Sequence, residues 1–481
     1  MKSTYKILKT GRPGRKLFFA FCLLSVLFQV GCRKFVQVSP PATILVESNV
    51  YSTPASAASV LTSIYDNMAQ GGLSEGIYSI SFLEGLQADE LTNYSSDPVL
   101  SQFYINALTS MPNAYFWTEL YQEIYVANAA IEGVTGSTAL STSLKQQLIG
   151  EAEFMRAFLH FYAVNLYGSV PLVTTTNYLT NNTIKPSSSA DVYAQIVSDL
   201  TDAQTKLSAN FLAGDAQTTT TERVRPTQWA AEALLARVYL YEGKWDSAEA
   251  QATTVINNSA LFSLDSLSNS FLMNSTEAIW QLEAANPGYN TLDGYDFILT
   301  GPPGSSVSPV AIDSFLLNSF EPGDERFSNW LGVDSSTGTK YYYPFKYKSG
   351  NYGDPVTEYL MVFRLAEQYL IRAEARAHEG TNLSGAASDL NVIRTRAGLP
   401  NTSASLQTDL LYAIYHERQV ELFTEWGHRW FDLKRTARID SVMGIVTPAK
   451  GGVWNSDWSL LPIPQSEILI NSNLNQNPGY N

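Results

Sequence analysis

Two stretches of this chain repeat one pattern of small and large apolar residues, and that repetition constrains the fold more than any other feature. Leu235-Ala236-Arg237-Val238-Tyr239-Leu240-Tyr241-Glu242-Gly243 is followed by Trp245, Ala248 and a periodic run through Val255. Leu370-Ile371-Arg372-Ala373-Glu374-Ala375 runs to Glu379-Gly380 and is followed by Ala386 and a run through Ile393. Apolar residues spaced by three and four give each half a helix with one apolar face. The small residues let two antiparallel helices approach closely, and the glycine supplies the left-handed turn between them. A two-helix unit of this kind cannot bury its face alone and needs stacked neighbours.

This is the pattern of a tetratricopeptide-type hairpin, and less regular copies are expected at 116–167 and 191–257. Phe116, Leu120, Ile124, Ala127 and Ile131 keep one helix face, as do Leu148, Ala152, Met155 and Leu159. Thr53 followed by Pro54 reads as a cap and first helical residue. Strand-like alternation is short, as in Ile279-Trp280-Gln281-Leu282 and Leu172-Val173-Thr174. The expected fold class is therefore all-α, built of stacked hairpins. Residues 258–355 break the pattern, being dense in Ser, Asn, Gly, Pro and aromatics such as Trp280, Tyr289, Tyr295, Trp330 and Tyr341-Tyr342-Tyr343. So many turn formers predict a loop-rich insertion, the kind of segment on which binding residues gather.

The amino terminus carries Lys2, Lys6, Lys9, Arg12, Arg15 and Lys16 with no acid, then an apolar run from Leu17 to Val30 and Gly31-Cys32. That order is an export signal, and the run is shorter than the roughly 20 residues of a membrane helix. Besides Cys22 inside the signal, Cys32 is the chain's other cysteine. An exported chain with one thiol at its own new terminus uses it as an attachment point, so Cys32 is expected to carry a lipid, with the membrane engaged through that anchor alone. Losing six positive charges moves the formal net charge from −14 to −20, which argues against a nucleic-acid partner.

Catalytic signatures are missing from the sequence. Gly301-Pro302-Pro303-Gly304 lacks phosphate-loop spacing, and Val420 stands where a zincin motif beginning His416-Glu417 needs its second ligand. His160, His378, His416 and His428 show no metal-ligand spacing, so no metal and no cofactor are expected. One charged helix is predicted from His416 to Arg435, with Glu417, Glu421 and Glu425 on a face. Pairing with Arg394, Arg396, Arg418 and Arg435 explains these carboxylates better than acid–base catalysis. The aromatics of the insertion, flanked by Asn, Asp and Gln, suit a sugar ring and its hydroxyls, and equally a peptide.

Ordered phrases along nearly the whole chain resemble the SusD/RagB family of outer-membrane lipoproteins. They include Ala88-Asp89-Glu90, Trp117-x3-Tyr121-x2-Ile124-x3-Asn128, Gly150-Glu151-Ala152 leading to Arg156-Ala157, and Gly168-Ser-Val170-Pro171-Leu172. Further along come Arg364-Leu365-Ala366-Glu367, Asn391-x-Ile393-Arg394-x-Arg396-Ala397-Gly398, Arg429-Trp430-x-Asp432-Leu433-Lys434-Arg435 and Gln476-Asn477-Pro478-Gly479-Tyr480. The resemblance implies a helical protein with four tetratricopeptide-like hairpins and no enzymatic activity. It also implies capture of oligosaccharides, or in some members peptides, at the cell surface, and a SusC-type TonB-dependent barrel as partner. The hairpins would face the barrel and the insertion the substrate.

The resulting division is a signal peptide at 1–31, a lipid-anchored tether at 32–52, an N-terminal helical region at 53–257, the insertion at 258–355 and a C-terminal helical region at 356–481. Position alone nominates the ligand residues. They are Asn93, Tyr94 and Tyr104 in and after the loop that follows Asp89-Glu90, and Asn286, Tyr289, Tyr295, Trp330, Tyr341 and Tyr342 in the insertion.

Overall fold

The computed structural model describes residues 50–109, 115–304 and 308–480. The export segment, Cys32 and most of the 32–52 tether lie outside the described residues. Helix α1 (Pro54–Ala69) starts at the Thr53 cap, whose hydroxyl accepts from the Ser56 amide at 3.2 Å. Helices α2 (Ile80–Gln87) and α3 (Pro98–Tyr104) are short. The stack is built by α4 (Trp117–Gly136), α5 (Thr142–Tyr167), α6 (Ser189–Lys206), α7 (Gln228–Tyr241) and α8 (Trp245–Asn257), each packed on the next. After the short α9 (Leu292–Phe297), α10 (Leu365–Glu379) packs on α8 and folds back into α11 (Leu383–Arg396). Gly243 and Gly380 turn these two hairpins at φ of 70° and 73°, a region costly for any residue with a Cβ. Ala236, Leu240, Ala248 and Ala252 of one hairpin meet Ile371 and Ala375 of the other in a close-packed cluster.

The insertion differs from its sequence expectation. Strands β1 (Leu91–Asn93) and β3 (Val310–Ile312) pair antiparallel, as do β2 (Ala278–Leu282) with β6 (Leu360–Arg364) and β4 (Leu331–Asp334) with β5 (Tyr341–Pro344). The β2–β6 pair ties the beginning of the region to the residues after its end, and both strands are buried along their length. Trp280 on β2 packs against Phe154 and Phe158 of α5, at ring-centroid distances of 5.1 and 5.6 Å. Residues 51–481 thus pack as one unit, with the insertion's aromatics forming part of its core.

The predicted 416–435 helix is two helices, α12 (Gln407–Glu421) and α13 (His428–Arg435). Between them Thr424, Trp426 and Gly427 take positive φ, and Gly427 fits because a Cβ there would stand 3.2 Å from the Glu84 side chain. The break has a physical cause. It lets the Trp426 indole donate to the Met361 carbonyl at 2.7 Å and turns Glu425 back onto Arg364, at 2.7 Å. Glu425 therefore leaves the helical face it was expected to share with Glu417 and Glu421, and His416 and His428 do not share a helix.

Glu421, fully buried, is the hub of an ion network. It meets Arg326 at 2.9 Å, Arg364 at 2.5 Å, and Arg396. Glu417 meets Arg326 at 2.7 Å and Arg394 at 3.2 Å, and Glu277 meets Arg364 at 2.9 Å and Arg396 at 2.7 Å. Beside it, Arg418 holds Asp432 at 2.7 Å, and Arg435 holds Glu374 and Asp432. Burial alone would raise the Glu421 carboxyl, but the guanidinium groups of Arg396, Arg364 and Arg326 hold it well below the usual carboxylate range. Removing one partner of a buried ion cluster strands the others, which costs about 3–5 kcal/mol. Urea unfolding of Glu421→Gln should show a loss of that order, while removal of the half-exposed Glu321 from Arg394 should cost far less.

Candidate functional site

Strand β1 ends in a loop that its own polar side chains shape. Asn93 accepts from the Ser95 amide at 3.0 Å and donates to Ser101 Oγ at 3.2 Å, a local Asx turn. Both amide groups of Asn93 are thereby used inside the loop. The Tyr94 amide donates to the Pro309 carbonyl at 2.8 Å, which extends the β1–β3 pairing and sets the Tyr94 ring at the surface. Strand β5 packs against β3 and delivers Tyr341, whose ring stands edge-on to Tyr94 with centroids 5.5 Å apart and planes at 87°, the arrangement aromatic quadrupoles favour. Partial burial, with the Tyr341 hydroxyl and the Asp313 carboxylate nearby, pushes the Tyr94 phenol up. Tyr104, half-buried on α3, is pushed up by burial and Asp313 as well. Both hydroxyls stay neutral hydrogen-bonding groups at physiological pH.

Ser95 and Asp97, which follow Tyr94 in the chain, line a cavity of about 430 Å³ together with Ile77, Tyr78, Leu100 and Gly304. Tyr78 donates its hydroxyl to Asp97 Oδ2 at 2.8 Å, while Asp97 Oδ1 caps α3 through the amides of Val99 and Leu100. Sequence reasoning missed Tyr78 and Asp97, which lie in a Gly- and Ser-rich stretch and a capping turn without periodicity. A second aromatic group is formed by Tyr289, Tyr295 and Tyr352, with Tyr289 edge-on to Tyr295 at 4.8 Å and to Tyr352 at 5.3 Å. Tyr352, the most exposed of the three, sits in Gly350-Asn351-Tyr352-Gly353, a context that the rule used for its neighbours also selects.

The other nominated residues are placed differently. Trp330 is a correction. It is fully buried, its indole donates to the Leu267 carbonyl at 2.8 Å, and the cations of Lys346, Arg364 and Arg396 lie over its ring. No ligand can reach it. Tyr342 packs against Phe327 at 5.5 Å, and Asn286 donates to the Ala69 carbonyl at 3.1 Å, so both brace the fold. The structure thus brings Tyr94 to Tyr341 and Tyr289 to Tyr295 as two groups.

The family models match at both ends of the chain. Residues 34–240 fit the model described as starch-binding associating with outer membrane, and residues 331–480 fit that of the SusD family. The chain belongs to the SusD-like family. SusD-like protein P2 of Formosa agariphila is 27% identical over 97% of this chain and 99% of its own. The starch-binding protein SusD of Bacteroides thetaiotaomicron is 37% identical over a shorter stretch, 25% of this chain and 21% of that one. Among solved structures, a laminarin-binding SusD-like protein superposes with a TM-score of 0.72 at 25% identity, covering 88% of this chain and 99% of that one. A SusD superfamily protein from Bacteroides vulgatus, 21% identical, shares the fold with a TM-score of 0.76 over 89% of this chain and all of its own. Among the described residues of this SusD-like chain, no helix is long and apolar enough to cross a membrane, and no cluster of His, Cys, Asp or Glu is arranged to hold a metal ion.

A buried carboxylate cluster lies beside the Tyr289–Tyr295 group. Glu75, just before the cavity residues Ile77 and Tyr78, accepts from the Leu292 amide at 2.5 Å, while Asp293 and Asp296 of α9 accept from the amides of Gly76 and Ile77. Asp293 Oδ1 is buried without a hydrogen-bond partner. Burial pushes Glu75 up to about 8 and Asp296 up to about 7, and it raises Asp293 too. A carboxyl whose pKa is higher in the folded chain keeps its proton there after the unfolded chain has lost it. The stability these carboxyls contribute is then full below about pH 4 and declines as pH rises toward 8. In Glu75→Gln, whose amide oxygen can still accept from Leu292, thermal unfolding between pH 5 and 9 should show a shallower decline, by on the order of 2 kcal/mol.

Proposed function

We propose that this chain is a non-catalytic outer-membrane lipoprotein that captures an oligosaccharide and passes it to a SusC-type TonB-dependent barrel. The observation that carries the reading is the edge-on Tyr94–Tyr341 pair beside an open cavity of about 430 Å³, a volume within the range of small-ligand sites. The exposed Tyr94 ring offers a face for the apolar side of a sugar, and Ser95, the Tyr78 hydroxyl and Asp97 offer partners for its hydroxyls. Membership in a family whose relatives are named starch- and laminarin-binding supports a glycan. Attachment would be through lipidated Cys32, with the binding face outside the cell.

A larger concavity, about 520 Å³, lies on α4 and the C-terminal segment, lined by Trp117, Tyr121, Tyr125, Pro171, Ile184 and Ile470. Its lining is mostly apolar and the Tyr121 hydroxyl is already given to the Pro171 carbonyl at 2.9 Å, so it suits a protein surface better than a sugar. That groove supports docking of the barrel on the hairpin side. A peptide remains the rival ligand for the tyrosine site. Calorimetric titration against neutral oligosaccharides should give saturable binding that weakens about tenfold or more in Tyr94→Ala and Tyr341→Ala. Copurification of peptides with no glycan binding would favour the rival.

A further inference from the structure

The charge on the cavity wall carries the glycan reading one step further, to the class of glycan. Among the described residues lining the cavity, Asp97 is the one charged group. Its carboxylate is fixed in place by the Val99 amide at 2.8 Å, the Leu100 amide at 3.0 Å and the Tyr78 hydroxyl at 2.8 Å. A carboxylate has about four acceptor positions, so one remains for a donor entering from the cavity. A sugar hydroxyl can fill it. The ionised carboxylate of a uronate, or a sulfate group, has no proton to give there and would stand against a like charge.

Among the described residues lining the cavity, no cation offsets Asp97. Lys450, whose Nζ lies 4.9 Å from the Tyr104 ring centroid, is buried and commits its ammonium to the carbonyls of Leu86 and Ala88. Lys340 is exposed immediately before Tyr341 and does not line the cavity. Asp313 accepts from Thr92 at 2.7 Å and lies outside the cavity lining, where the Lys450 ammonium interacts with its charge. The chain as a whole has a formal net charge of −14, and a cleft lined by one sign of charge concentrates that field on whatever approaches.

We propose that the tyrosine site accepts uncharged oligosaccharides and excludes uronic-acid and sulfated ones, with Asp97 as the specificity-determining residue; the proposal rests on the glycan reading above. The test titrates the mature chain with β-1,3-glucan and malto-oligosaccharides and, at matched length, with oligogalacturonate, at low and high salt. The expected result is binding of a neutral series with at least tenfold weaker binding of the uronate at low salt, a ratio that shrinks as salt screens the repulsion. Asp97→Asn keeps a good cap for α3 and should narrow the neutral-to-uronate ratio severalfold at low salt. Uronate binding as tight as the neutral series, or a ratio unchanged by Asp97→Asn, overturns the charge filter while leaving glycan capture standing. Failure of every glycan, with peptides bound instead, overturns both.

Discussion

The tyrosine-bearing side of this molecule depends on a buried cluster of opposite charges around Glu421. Three arginines converge on that carboxylate from different parts of the chain: Arg326 from the insertion, Arg364 from the end of β6, and Arg396 from the last turn of α11. Glu277, just before β2, closes the circuit onto Arg364 and Arg396. Desolvating so many charges is unfavourable, and only near-complete mutual pairing offsets it. The arrangement therefore tolerates few alternatives. It fixes the insertion to the hairpin stack in one register, and through β3 and β5 it fixes where Tyr94 and Tyr341 meet.

The two halves of the molecule use different physics. The hairpin stack is held by alanines and leucines at helical spacing, an interface that adapts by small slides. The insertion has short strands and little periodic apolar surface, so directional contacts hold it: the Trp330 indole on Leu267, the Trp426 indole on Met361, and Lys346 on the carbonyls of Glu421 and Phe423. Loops anchored at such points can present polar and aromatic groups at a surface without collapsing onto it.

The hairpins were legible in the sequence because a 3.6-residue period and a turn glycine are local signals, and both Gly243 and Gly380 take the left-handed conformation expected of them. The export segment and Cys32 lie outside the described residues, so that reading stands on sequence alone. The broken helix at 422–427 was not legible. Thr424 and Gly427 are weak helix formers, but a lone glycine in an otherwise periodic run does not mark a break, and the partners that hold it open, Arg364 and Met361, are more than fifty residues away. Trp330 was misjudged for a related reason: composition marks a loop-rich region, but only tertiary pairing reveals which of its rings the core takes. Asp97 and Tyr78 went unseen because a capping carboxylate and a lone tyrosine leave no pattern in one sequence.

The claim at the centre of this account is that ligand engages the Tyr94–Tyr341 face. Hydrogen-exchange mapping of the mature chain with and without a saturating neutral oligosaccharide addresses it most directly. The account predicts slowed exchange in residues 76–78, 93–98 and 341–343, with the α4 groove unchanged. Protection confined to residues 117–126 and 467–474, with the tyrosine loops unaffected, would contradict it.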